Sequence, residues 1–225
     1  MTTIVRITRD ESWLAAGTNY ESMKSAHHRH QVAAAFGRDT AHTSEWHTPA
    51  DAVAVRLAAA IADAYGTTRA ASMTRIFSHV LLATVSQAEH RSADAPICFV
   101  DLIRESDGKR AYTAFGGAGS LPEPVEGFTV ERSTTVNVSF LIRAVRVAAA
   151  RNRLVGFDAP MMPAPDSTEY AVIMAPYAEA ALPDVVEEVG MKKAEMAARG
   201  AGSLSRSIAM GGTVKAGARK PSKAA

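Results

Sequence analysis

Disulfides within the chain are excluded at once, because Cys98 is the single cysteine. The same scarcity rules out any metal site built from several thiolates. Cys98 lies in the apolar run ICFV, where a lone thiol is ordinary core filling. Aromatic residues make up only 6% of the chain, while alanine supplies much of its 47% hydrophobic content. Alanine favours helix without adding much buried area, so closely spaced helices are expected rather than an aromatic-rich sandwich.

Long hydrophobic runs are missing too. No window approaches the roughly 20 apolar residues that span a bilayer. The best of them, VSFLIRAVRVAAA, is interrupted by Arg143 and Arg146. The opening MTTIVRITRDESWLAAG lacks the continuous apolar stretch of a secretory signal. No membrane partner is expected, and the chain reads as soluble, reducing-compartment and cytoplasmic. No excess of either charge exists globally, the formal net charge being +2, but acids stop at Glu195. Arg199, Arg206, Lys215, Arg219, Lys220 and Lys223 follow it. Such a spaced set is either a cationic arm that attracts nucleic acid or an ordinary solvated terminus.

Recognisable catalytic signatures are absent as well: there is no nucleophile elbow, no Walker loop and no zinc signature. FGGAGS, residues 115–120, is a glycine loop after a strand, but LPEPVEG behind it cannot promptly begin the helix a phosphate cradle needs. No catalytic residue, cofactor or metal is therefore assigned, and the chain is not expected to be an enzyme.

What is present begins with helices. Thr48-Pro49-Ala50-Asp51 is a helix start, with a capping threonine, a preset proline φ and an acid at the positive end. Val53, Leu57, Ile61 and Tyr65 then recur every four residues up to Gly66. A second helix is predicted from Thr67 or Thr68, with Met73, Ile76, Phe77, Val80, Leu81 and Val85 on its buried face. After RSADAP, residues 91–96, the pattern changes. ICFVDLI and RAYTAFG read as a strand pair turning at Asp107-Gly108, and FTVERSTTVNVSF as a further strand. A helix over LIRAVRVAAARNRL, a strand at EYAVIMAP and a helix from about Leu182 complete the pattern.

These elements predict an α+β fold in three parts: an all-helical domain over 1–92, a small mixed sheet-and-helix domain over 97–199, and a flexible basic tail over 200–225. The mixed part suits dimerisation or effector binding, or serves only to bury a sheet.

Five of the seven histidines fall between His27 and His47. His27 and His30 have the spacing of a helical zinc pair, but no cysteine or carboxylate stands at a usual ligand distance beside them. The residues between the histidines suggest something else. Val32, Ala33 and Phe36 form one face of a short helix, Gly37 can turn the chain, and Thr40 to Trp46 can form a second helix. A steep crossing of two short helices needs a small residue, here Ala33. The turn needs a left-handed position, which Gly37 supplies.

Val32, Ala33, Phe36, Gly37 and Trp46 together resemble the helix-turn-helix of lambda-repressor-like and phage activator DNA-binding proteins. Arg29 stands where that family often has glutamine, with Gln31 close by. Thr43 stands where it has valine or isoleucine. The resemblance implies a second helix in the DNA major groove, presenting Thr40, Ala41, Ser44 and Glu45 to base edges. Arg29, Gln31 and Arg38 would then lie on phosphates. It further implies double-stranded DNA as partner, a homodimer on a palindromic site, and sequence-specific transcriptional regulation. Two alternatives stay open: a plain helical hairpin, and a structural or assembly subunit of a phage-like particle or other homo-oligomer.

Overall fold

Val53, Leu57, Ile61 and Tyr65 are all buried, along one face of α3, Pro49–Tyr65. This is the computed structural model of the chain, and it describes residues 4–28, 33–36, 46–91, 94–117, 125–209 and 211. The helix starts where its sequence signals place it. Thr48 precedes Pro49, and the Asp51 carboxylate reaches back to the Thr48 N–H at 2.7 Å. Gly66, at φ +75°, ends it.

The second predicted helix is two. α4, Thr67–Ile76, and α5, Ser78–His90, are separated at Phe77, whose φ of −97° and ψ of 26° break the helix. Met73, Ile76, Phe77, Leu81 and Val85 are buried all the same. Before α3 come β1, Ile7–Thr8; α1, Arg9–Ala15; α2, Tyr20–His28; and β2, Trp46–His47. Thr8 and Glu11 cap α1 reciprocally in a capping box.

The anticipated hairpin is formed by β3, Pro96–Arg104, and β4, Arg110–Gly116, with Gly108 at φ +70° in the turn. β5, Phe128–Asn137, joins β3 on its other side, and β6, Val185–Glu187, joins β4. The four-stranded sheet therefore runs β5-β3-β4-β6, with every described pairing antiparallel. Ile97 and Phe99 turn one face of β3 towards the helices, where Tyr65 and Phe77 meet the Phe99 ring edge-on. Cys98, Val100 and Leu102 face the other way with Ala111, in a separate small cluster. The chain then forms α6, Val138–Arg151; α7, Thr168–Glu179; a single 3-10 turn, Glu188–Gly190; and α8, Met191–Ala209.

One core cluster runs from Ile4 through Phe99 and Val145 to Ala209, drawing on both the 1–92 and the 97–199 spans. Several expectations are corrected. EYAVIMAP is helical, within α7. Ser167 caps it by accepting from the Tyr170 N–H at 3.1 Å, and Ile173 and Tyr177 are buried four residues apart. The last helix begins at Met191, because the β-branched pair Val185-Val186 extends the sheet instead. Residues 200–209, assigned to the tail, belong to α8. Ala194, Ala198, Ala201, Gly202 and Ser205 form its buried face, small side chains that let it lie close to α4 and α7. The remaining tail positions, 210 and 212–225, lie outside the described residues.

The helix expected through Val32, Ala33 and Phe36 is not found where it can be observed. Ala33–Phe36 form coil and turn, and all four side chains are buried. The cause is Asp51. Its Oδ1 accepts from the Ala35 N–H at 3.1 Å and the Phe36 N–H at 3.5 Å, donors that a helix would direct to carbonyls four residues back. Trp46 opens β2 and pairs with Thr8, so it does not end a helix as expected.

Candidate nucleic-acid interface

Most residues of the expected helix-turn-helix lie outside the described residues: Arg29, Gln31, Val32, Gly37, Arg38, Thr40, Ala41, Thr43, Ser44 and Glu45. Ala33 and Phe36 are described and belong to the core, with the Arg206 guanidinium 5.9 Å from the centre of the Phe36 ring. Among His27, His28, His30, His42 and His47, only the His47 side chain is described; it is buried next to Asp51. No helix among the described residues is long and apolar enough to cross a membrane.

A different surface has the chemistry of a polyanion site. From Val138 to Phe157 the sequence contains four arginines and no acid. Asn137 starts α6 by accepting from the Phe140 N–H at 3.1 Å. Val138, Leu141, Ile142, Val145 and Ala149 then turn inward against α1, α3 and α5. The helical period puts Phe140, Arg143, Val147, Ala150 and Arg151 on the opposite side. All five are exposed, Phe140 at 61% and Val147 at 48%. From Phe140 to Arg151 this stripe is about 16 Å long at the α-helical rise.

The four arginines divide by role. Arg146 is committed to the fold: its Nη2 lies 2.6 Å from Glu89, and its Nε donates to the Phe157 carbonyl at 2.9 Å. Arg143, Arg151 and Arg153 have no carboxylate partner among the described residues. Arg153 follows the helix end at φ 55°, beside the strongly exposed Val155. Cations at a helix C-terminus are favoured by its dipole, so Arg151 and Arg153 are stably placed without any acid. The outcome is an exposed cationic ridge interleaved with two large apolar side chains.

The sequence signal for this ridge is the acid-free interval carrying four arginines. In the apolar run, Arg143 and Arg146 serve equally well as interruptions, and only tertiary contact separates their roles. Comparison with protein-family models, with curated proteins and with solved structures finds no match to this chain.

Proposed function

We propose that the protein binds double-stranded DNA through the outer face of α6, as a sequence-reading regulator that performs no chemistry on the DNA. The observation that carries this reading is the trio Arg143, Arg151 and Arg153, which lack carboxylate partners among the described residues and flank exposed Phe140 and Val147. Arg151 and Arg153 fit phosphate contacts, which fix register without reading sequence. Arg143 stands between the two apolar side chains and fits a guanine edge, while Phe140 and Val147 fit thymine methyl groups. The stripe's length matches roughly five base pairs at ~3.4 Å each. Of the cations that follow Glu195 in the sequence, Lys215, Arg219, Lys220 and Lys223 would add attraction of the same sign.

The test is fluorescence anisotropy of the full chain with labelled duplex DNA over a range of salt concentrations. Wild type is expected to bind with a log–log salt slope that becomes shallower by about 2–3 in the Arg143→Ala/Arg151→Ala/Arg153→Ala variant. These side chains are exposed, so far-ultraviolet circular dichroism should not change. Equal affinity of the two proteins, or no binding by wild type, refutes the reading.

A second reading, a subunit of a homo-oligomeric assembly, has one observation in its favour. β5 is an edge strand of ten residues whose outer side has no strand partner among the described residues. Open edges pair readily with further strands. Opposing this, the register shift between Asp101 and Leu102 leaves Glu131 as a bulged residue, and bulges discourage edge pairing. Sedimentation without DNA separates the readings: a large ordered species supports assembly, a monomer or discrete dimer the DNA reader.

A further inference from the structure

Glycine in a helix interior is destabilising relative to alanine, because it surrenders more backbone freedom on folding. α8 nevertheless carries two, Gly200 and Gly202. Gly202 belongs to the buried small-residue face that packs against α4 and α7. Gly200 does not. It is exposed, and a Cβ built there would meet nothing within 4 Å. Among the described residues, therefore, no packing contact calls for a glycine at this position.

Large apolar side chains stand on either side of it. Met196 is 70% exposed and Leu204 is 43% exposed. Each lies four residues from Gly200, on one ridge of the helix and about 6 Å away along its axis. The ridge is thus symmetric about its glycine. Such a pattern is self-complementary under a two-fold axis. In an antiparallel pair, Met196 of one copy meets Leu204 of the other, and the two Gly200 residues face each other at the crossing. With no side chain there, the helix axes can approach to the lower end of the usual ~8–10 Å.

Charge favours the same orientation. Lys192 and Lys193 are exposed in the first turn of α8, which contains no acid. Neither has an ion-pair partner among the described residues. Cations at this end of a helix oppose its own dipole, whereas the carbonyl end of a helix attracts them. An antiparallel partner brings its carbonyl end to the lysines: Lys193 stands seven residues before Gly200, and Ser207 seven after it. Arg206, the base of that last turn, does not repel them, since it points inward to Asp51. Parallel pairing would instead set lysine against lysine.

We propose that the outer face of α8 is a homodimer interface, on which α8 of a second copy lies antiparallel about a two-fold axis at Gly200. Met196 and Leu204 form its apolar centre, and Lys192 and Lys193 close its ends against the partner helix's carbonyl terminus. The interface uses no residue of the α6 face and does not rest on DNA binding.

The test is sedimentation equilibrium of the full chain without DNA, over a range of protein concentrations. Wild type is expected to show a reversible monomer–dimer equilibrium. Gly200→Leu, which blocks the crossing, should weaken dimerisation at least about tenfold. Gly200→Ala separates a partner's demand from a folding role: it should raise the Tm of the dilute monomer through helix propensity, yet weaken the dimer. Met196→Glu and Leu204→Lys should each weaken dimerisation about tenfold, and the double variant should restore it, because each new carboxylate then meets a new ammonium. All three positions are exposed, so far-ultraviolet circular dichroism should match wild type. A wild type that stays monomeric, a species larger than a dimer, undiminished dimerisation of Gly200→Leu, or a double variant no tighter than the single ones overturns the proposal.

Discussion

Asp51→Ala is expected to destabilise the fold by about 3–5 kcal/mol, the usual result of stranding one partner of a buried ion pair. Asp51 is fully buried, and its carboxylate is shared among three parts of the chain. Oδ1 takes the Ala35 and Phe36 N–H groups. Oδ2 takes the Thr48 N–H and hydroxyl at 2.7 and 3.0 Å, and Arg206 Nη2 at 2.5 Å. The side chain of Arg206 is only 4% exposed, so loss of the carboxylate leaves a charge in the core. Urea denaturation reads the effect. The double variant Asp51→Ala/Arg206→Met removes the stranded cation and should recover about 1–3 kcal/mol relative to Asp51→Ala alone. A loss below about 1 kcal/mol for the single variant would contradict the keystone role given to this carboxylate.

The same residue gives an acid signature. Burial alone raises the Asp51 carboxyl, but Arg206, His47 and the Thr48 hydrogen bonds outweigh it and hold the group below its ordinary 3.8. A carboxyl lowered in the folded state contributes stability above its unfolded pKa, and that stability is lost as pH falls through the folded value. Wild type should therefore lose stability below about pH 4, and Asp51→Ala should show a shallower loss there.

Asp51 also explains where local sequence reasoning stops. α3, α4 and α5 are legible because their buried faces are large apolar residues at helical spacing, and the β3–β4 hairpin because Asp107-Gly108 marks its turn. Residues 33–36 look helical by composition. A carboxylate about sixteen positions downstream claims their N–H groups, and no local pattern encodes that. α8 past residue 200 is hidden for another reason. Its buried face is alanine, glycine and serine, which show no hydrophobic period although they pack closely. The α6 ridge was half legible: the acid-free arginine interval is visible, but the Arg146–Glu89 contact that separates one arginine from the other three is not. The Asp101–Arg132 ion pair depends on strand register, which brings the two residues together from β3 and β5.

Glu89→Ala should cost about 2–4 kcal/mol and release the segment between α6 and α7. That segment runs over α5 through a short set of contacts. Glu89 Oε2 accepts from the Met161 and Met162 N–H groups at 2.6 and 3.3 Å, while Oε1 binds Arg146. Ser86 donates to the Pro163 carbonyl, and the His90 ring is bonded to the Met162 carbonyl at 2.8 Å. Met161 and Met162 are fully buried, so removing Glu89 leaves two backbone donors without an acceptor in the core. Glu89→Gln keeps one oxygen and should cost less. Its pH behaviour should oppose that of Asp51. Burial raises the Glu89 carboxyl, more than the Met161 N–H and Arg146 lower it, so the folded protein holds this proton to higher pH than the unfolded chain. The contribution of Glu89 to stability is thus largest in acid and declines as pH rises from the unfolded carboxyl value of 4.5 through the folded one. Hydrogen exchange distinguishes local from global loss. In Glu89→Ala the Met161 and Met162 amides should lose protection while those of β3 keep theirs, and uniform protection across both would show that Glu89 does not secure the segment.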